Sequence, residues 1–180
     1  MLTITVPETN AYDEKAEQFV TTPETTLVLE HSLVSLSKWE SKWEIPFLGP
    51  AEKTDSQMVD YIRFMNLTPD VPPEIFNVLS RANMDAMSDY IKAKMTATWF
   101  PETPNRPGAK EVITAEIIYH WMIALNVPFE CQSWHLNRLL TLIKVCNDKN
   151  APKKKMSRAD QIAERNALNE ARKAHLNTHG

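Results

Sequence analysis

The sequence is poor in glycine and cysteine and has no long apolar run. Its 180 residues include only 3 glycines, which argues against a glycine-rich phosphate loop and a turn-rich all-β fold. The two cysteines, Cys131 and Cys146, fit free thiols in a reducing compartment. No segment approaches the ~18 apolar residues that span a bilayer, and the N-terminus lacks the pattern of a secretory signal. We therefore expect an intracellular protein with no membrane partner.

The composition is that of a folded protein, but its charge is unevenly distributed. Hydrophobic residues make up 43% and charged residues 24%, which is typical of a globular chain with a real core. Residues 149–180 contain 8 Lys/Arg and 3 Asp/Glu, whereas residues 1–148 contain 12 and 20. We predict a helical domain with short N-terminal strands over 1–148, and a basic linker with a mobile C-terminal helix over 149–180.

The longest apolar-rich stretch runs from Ile113 to Cys146 and predicts a buried helical hairpin. Its apolar residues recur at helical spacing in two groups: Ile117, Ile118, Trp121, Met122 and Leu125, then Leu136, Leu139, Leu140 and Ile143. Asn126 can end the first helix, and Pro128 can open the second. We expect the other elements to pack on this hairpin.

A minor β element is predicted beside the helices. Residues 2–6 and 26–29 are rich in β-forming side chains, and the acidic stretch between them is weakly patterned, so we expect it to be loosely held. Residues 95–100 alternate and predict another strand, and residues 111–114 either return to it or begin a helix. The fold class is therefore mainly α, or α+β with a minor sheet.

Residues 32–48 predict a helix that carries two tryptophans on one side. Trp39 and Trp43 are four residues apart and form one contact patch, which fits either the core or a binding hot spot for a partner. Ser37 and Glu40 have the spacing of a capping box. Thr54 and Gln57 predict a second box at the start of the next helix.

Two constellations could carry chemistry, but neither has a diagnostic spacing. Glu116, His120, Cys131 and His135 are residue types that bind zinc, yet no CxxC or HExxH motif is present. A Cys131–His135 nucleophile pair would need an orienting group and an oxyanion site, which the sequence does not indicate. We expect structural hydrogen bonding here, and no catalytic residue, metal or cofactor.

The basic C-terminal arm could bind phosphates or an acidic protein. Its cations are Lys153, Lys154, Lys155, Arg158, Arg165, Arg172 and Lys173. No aromatic residue follows Trp134, so we do not expect this arm to stack on bases. Its sparse apolar residues bury little area, and an isolated helix of this length is marginal in water. A small DNA-binding regulator that uses this arm remains an alternative.

Several segments together resemble the tail assembly chaperones of tailed bacteriophages. They are SLSKWESKWEIPFL, MTATWF, the stretch from Ile113 to Asn147 and the closing ALNEARKAHLNTHG, and the resemblance covers Ser32 to Gly180. It implies a protein that binds the helical tape-measure protein and keeps it soluble until tail-tube subunits polymerise. It also implies absence from the finished virion and a longer, frameshifted form; the codons of Lys153–Lys155 could supply the slippery stretch. It implies no catalytic residue.

We therefore expect a phage-encoded, non-enzymatic protein of the host cytoplasm. The expected partner is the tape-measure protein, with the tail-tube protein and a longer form of this chain as further partners. A groove bearing methionine and tryptophan could cover the partner's apolar stripe. The predicted partner-binding residues are Trp39, Trp43, Lys153, Lys154, Lys155, Arg165, Arg172 and Lys173. A structural virion component, such as a head–tail connector or tail-completion protein, is the first alternative.

Overall fold

The computed structural model describes residues 1–13, 18–100, 112–150 and 158–176. These residues form a mainly α-helical fold with a minor antiparallel β element, as predicted. The strands are β1 (Leu2–Val6), β2 (Thr9–Asp13), β3 (Gln18–Thr22) and β4 (Thr25–Leu29). The helices are α1 (Leu33–Trp43), α2 (Asp55–Met65), α3 (Arg81–Lys92), α4 (Ala115–Ala124), α5 (Leu136–Asn150) and α6 (Arg158–Leu176). Two 3₁₀ helices, Pro73–Asn77 and Phe129–Ser133, lie in the connections.

The β element consists of two consecutive antiparallel strand pairs. β1 pairs with β4, and β2 pairs with β3, so both predicted N-terminal strands are confirmed. The stretch between them, which we expected to be loosely held or to dock late, forms the second pair over most of its length. Pro7 and Pro23 lie in the gap between the pairs, where their missing N–H groups interrupt the ladder. One face of the first pair enters the core through Ile4, Val6, Leu27 and Leu29.

The strand predicted over residues 95–100 is not formed. Residues 93–100 follow α3 in no helix or strand, and neither do residues 112–114; Glu111 lies outside the described residues. Alternating β-forming side chains make a strand only when a neighbouring strand pairs with the backbone, and no described strand pairs with this segment. Instead, the ring of Phe100 lies against α5, with the Lys144 ammonium 4.0 Å from its centroid.

The junction between β4 and α1 connects distant elements through its backbone. Glu30 N–H donates to the carbonyl oxygen of Met65 at the end of α2, at 2.9 Å. The carbonyl oxygen of His31 accepts from the N–H of Leu136 at the start of α5, at 2.7 Å. These bonds satisfy backbone groups that burial would otherwise leave unpaired. The helices therefore pack mainly on this junction and on α1, which contacts both α2 and α4, and only in part on the predicted hairpin.

The start of α1 differs from the predicted capping box. Ser32 and Ser35 form a reciprocal pair: the Ser32 hydroxyl accepts from Ser35 N–H at 3.2 Å, and Ser35 Oγ accepts from Ser32 N–H at 3.0 Å. The prediction of a box at Ser37 and Glu40 was wrong, because both residues lie inside α1. The spacing matched the motif, but the helix starts five residues earlier.

Glu40 instead caps a helix far along the chain. Its side chain is 7% exposed, and its Oε2 accepts a hydrogen bond from Ala115 N–H at 2.7 Å. Its Oε1 accepts from Phe47 N–H, also at 2.7 Å. Thr114 occupies the N-cap position of α4 but makes no capping hydrogen bond with its side chain. A carboxylate near the positive end of a helix is favourable for the same reason as an N-cap side chain.

The predicted hairpin is present as two helices, with a longer break than expected. Asn126 ends α4 in the left-handed region, at φ 52°, as its sequence position predicted. Pro128 opens a 3₁₀ helix and not α5, which begins only at Leu136. α5 extends to Asn150, so the predicted linker cannot begin at residue 149. Among the described helices, none has the length and apolar character that crossing a membrane requires.

Candidate partner-binding groove

The apolar residues of α4 are divided between two faces. The inner face is completely buried: Ala115, Ile118 and Met122. On the outer face, Trp121 and Leu125 are half-buried and Ala124 is exposed. The rest of the described protein therefore covers the inner apolar face of α4 and leaves the outer one partly exposed.

α5 divides its apolar residues in the same way, and a groove lies between the two outer faces. Its buried residues are Leu136, Leu139 and Ile143, while Leu140 is half-buried. The groove has a volume of about 530 Å³ and is called here the α4–α5 groove. Its lining residues are Ile113, Trp121, Ala124, Leu125, Leu140, Ile143, Lys144 and Asn147. This size is within the range of binding pockets.

The chemistry of the groove is apolar with a cationic rim. Among the described residues that line it, Lys144 and Asn147 are polar, and both lie on the α5 side. No carboxylate or histidine is among these lining residues, and those are the side chains most suited to general acid–base catalysis. The arrangement can cover apolar side chains of a partner and attract a negative charge at one edge.

A second cavity, of about 400 Å³, shares Leu140 with the groove and lies against residues 94–100. Here the ring of His175, near the end of α6, stacks on Trp99 with centroids 5.5 Å apart and an interplanar angle of 26°. The C-terminal helix therefore contacts the body through His175, a residue that itself remains exposed.

The side chain of Asn137, which also lines this cavity, connects α5 to the end of α3. Its Nδ2 donates to the carbonyl oxygens of Ile91 and Ala93, at 3.0 and 2.9 Å.

The two tryptophans predicted as a contact patch are adjacent but differ in burial. Their ring centroids are 6.5 Å apart. Trp39 is completely buried, and its Nε1–H donates to the carbonyl oxygen of Gln57 at 2.7 Å. It is a core residue and presents no surface to a partner. Trp43 is half-buried, and its Nε1–H has no acceptor among the described residues.

The predicted basic residues of the arm are only partly within the described structure. Arg165, Arg172 and Lys173 are exposed on α6, where they form no ion pair within the described residues. Residues 153–155, the three consecutive lysines, lie outside the described residues. A role for either group in binding stays a prediction.

A buried histidine pair lies where the junction meets α2, α3 and α5. His135 Nδ1 accepts from Asn137 N–H at 3.3 Å, so its Nε2 carries the proton and donates to the carbonyl oxygen of Tyr90 at 3.0 Å. His31 Nδ1 lies 2.5 Å from Tyr61 Oη, and the two imidazole rings are 5.1 Å apart. Burial, with a smaller contribution from His135, lowers the pKa of His31 to about 4. His31 is therefore neutral near pH 7.

The residues weighed as a zinc site or nucleophile pair are not arranged for either role. Glu116 and His120 are exposed on α4, whereas Cys131 and His135 are buried. Both ring nitrogens of His135 are hydrogen-bonded to the backbone, so neither is free to take a proton from a thiol. Burial raises the pKa of the Cys131 thiol, which keeps it protonated. Within the described ranges, no three His, Cys, Asp or Glu side chains group as a metal site.

Sequence reasoning identified the helices of the groove but assigned its residues to the core. Trp121, Leu125 and Leu140 belong to the predicted apolar faces, and periodicity alone does not show which of them remain uncovered. The sequence of α5 does contain a sign of the groove. Lys144 and Asn147 follow Leu140 by four and seven residues, so the helix face that begins with Leu140 becomes polar. The face with Leu136, Leu139 and Ile143 stays apolar, as expected of a buried face.

Comparison with known proteins adds no relative to this picture. No family model, no curated protein and no solved structure matches this chain.

Proposed function

We propose that this protein is a non-catalytic tail assembly chaperone that transiently covers an apolar helical face of the phage tape-measure protein. The observation that carries the proposal is the α4–α5 groove, an apolar trough left open between two packed helices. A groove of this kind accepts the apolar face of an amphipathic helix. The phage assignment is supported by the resemblance of the segments quoted above to tail assembly chaperones.

The size of the groove fits a partner that must be released. Trp121, Leu125 and Leu140 are already half-buried, so a bound helix removes only part of their surface from water. Interfaces that bury little area have little free energy left after the entropy cost of association. A modest affinity at each contact lets tail-tube subunits displace the chaperone as they polymerise.

The basic arm supplies a second, electrostatic component. Exposed cations on α6 increase the rate of encounter with an acidic partner more than they increase final affinity. The opposite charges of the body and of residues 149–180 restrict that attraction to one end of the chain. In this proposal the arm captures the partner and the groove then covers its apolar stripe.

Co-expression with the tape-measure protein tests the function. The expected result is a larger soluble fraction of that protein and a complex on affinity purification. Ala124→Arg, which fills the groove, should abolish the gain, whereas Ile123→Arg is the matched control on an exposed side chain of α4 outside the groove. No gain in solubility together with no complex would contradict the proposal.

A further inference from the structure

We propose that the α4–α5 groove selects an amphipathic helix whose apolar stripe is flanked by acidic side chains. This inference rests on the proposed function and specifies the chemistry of the partner. It is supported by the length of the groove, by the charge at its rim and by the apolar spacing of α6.

The groove has the length of a short helical contact. Its lining residues on α5 run from Leu140 to Asn147, which corresponds to about 10 Å along the helix axis, or two turns. Two turns present apolar side chains at positions i, i+3 or i+4, and i+7 of a bound helix. A small molecule would need several convergent polar groups to orient it, and the described lining supplies two polar residues, both on the α5 side.

The charge around the groove is positive on one side. Lys144 lies at the rim, and packing against Phe100 holds its side chain at that edge. α5 continues to Lys149, so two lysines and one acidic residue, Asp148, follow Leu140 on this helix. A helix with Glu or Asp beside its stripe therefore meets complementary charge, and one with Lys or Arg is repelled.

The apolar spacing of α6 argues against it as the occupant. Its large apolar residues Ile162, Leu168 and Leu176 are six and eight residues apart, so no two turns of α6 present such side chains at i, i+3 or i+4, and i+7. Its charges, four Lys/Arg and three Asp/Glu over Arg158–Leu176, nearly balance. An external acidic helix is the better match, and occupation by α6 or a second copy would appear as an outcome of the test.

Two synthetic peptides of about 20 residues test the proposal, because shorter helices are marginal in water. They share one leucine stripe and differ only in flanks of Glu or Lys. We expect the Glu-flanked peptide to bind the full chain about tenfold more tightly than the Lys-flanked one, with an advantage that shrinks as salt rises. The indole N–H resonance of Trp121 should shift on binding.

Four variants locate the effect. Ala124→Arg should abolish binding and Ile123→Arg should not. Lys144→Glu should reverse the preference between the peptides, whereas Lys92→Glu, on the exposed end of α3, should leave it unchanged. Equal affinity for both peptides, binding that survives Ala124→Arg, or occupation of the groove by α6 or a second copy would overturn the assignment. Co-expression with the tape-measure protein decides the chaperone function separately, because another surface could still carry it.

Discussion

The buried carboxylate of Glu40 caps the helix that begins at Ala115, by a 2.7 Å hydrogen bond between groups 75 residues apart in the sequence. Its other oxygen holds Phe47 N–H in the turn that follows α1. One side chain therefore sets the position of α4 relative to α1. Because α4 provides one wall of the α4–α5 groove, this contact supports the candidate site from the far side of the helix.

Removing the Glu40 carboxylate should destabilise the fold. Glu40→Ala leaves two buried N–H groups without acceptors, so we expect the free energy of unfolding to fall by about 3 kcal/mol, and by less for Glu40→Gln. Urea unfolding followed by circular dichroism measures both values. Glu52→Ala, at an exposed loop position, is the control and should change stability by less than about 0.5 kcal/mol. A loss at Glu40→Ala no larger than this control would contradict the capping role.

The two adjacent tryptophans should respond differently to the same substitution. Trp39→Phe loses a buried hydrogen bond to Gln57 and leaves a gap in the core, so we expect a loss of about 2 kcal/mol. Trp43→Phe removes an N–H that has no acceptor among the described residues, and should be nearly neutral. Thermal and urea unfolding of both variants decide the matter. Equal losses at the two positions would show that Trp43 is also a core residue.

His31 should make stability depend on pH in the mildly acidic range. Its pKa is about 4 in the folded protein and about 6.5 in an unfolded chain, so the unfolded state binds the proton first as pH falls. The stabilising contribution is fully present above pH 6.5 and is lost as pH falls towards 4. We expect a decrease of about 2 kcal/mol in the free energy of unfolding between pH 7.5 and pH 5.

Two variants isolate this effect from other titrating groups. His31→Gln should flatten the pH dependence between pH 7.5 and pH 5, whatever its effect on stability at neutral pH. His120→Gln, at an exposed histidine of α4, should leave the slope as in the parent protein. If the His31 variant retains the full slope, then another group is responsible.

Deleting residues 151–180 should leave the rest of the chain folded. The described side chains of α6 are exposed apart from the half-buried Leu168 and Ala171, and its ring contact with the body is the stack of His175 on Trp99. We expect the free energy of unfolding to change by less than about 1 kcal/mol. Near-ultraviolet circular dichroism and thermal unfolding test this. Loss of the cooperative transition would show that α6 belongs to the core.

Local sequence signals predicted the elements whose partners are nearby in the chain. The Thr54–Gln57 capping box and the stop at Asn126 depend on residues within one turn, and both are confirmed. The strand predicted over residues 95–100 failed, because a strand needs a distant neighbour that periodicity does not reveal. The capping box predicted at Ser37 and Glu40 was wrong because both residues lie inside α1. The role that Glu40 has instead, accepting from Ala115 N–H, depends on a helix far along the chain, which local spacing does not reveal.

The candidate site, too, could be predicted only in part from the sequence. The apolar rows of α4 and α5 were predicted, but the groove exists only because Trp121, Leu125 and Leu140 extend beyond the surface that the body covers. Trp39 was weighed as both core and contact residue, and only the packing of α1 on α2 decides for the core. Which apolar residues remain uncovered is a property of tertiary packing and not of spacing.

We propose that this protein shelters a helical partner during assembly and then leaves. Quantitative mass spectrometry of purified phage particles, set beside the lysate from which they were prepared, tests this role. We expect abundant protein in the lysate and none in mature particles. A fixed number of copies in every particle would contradict it.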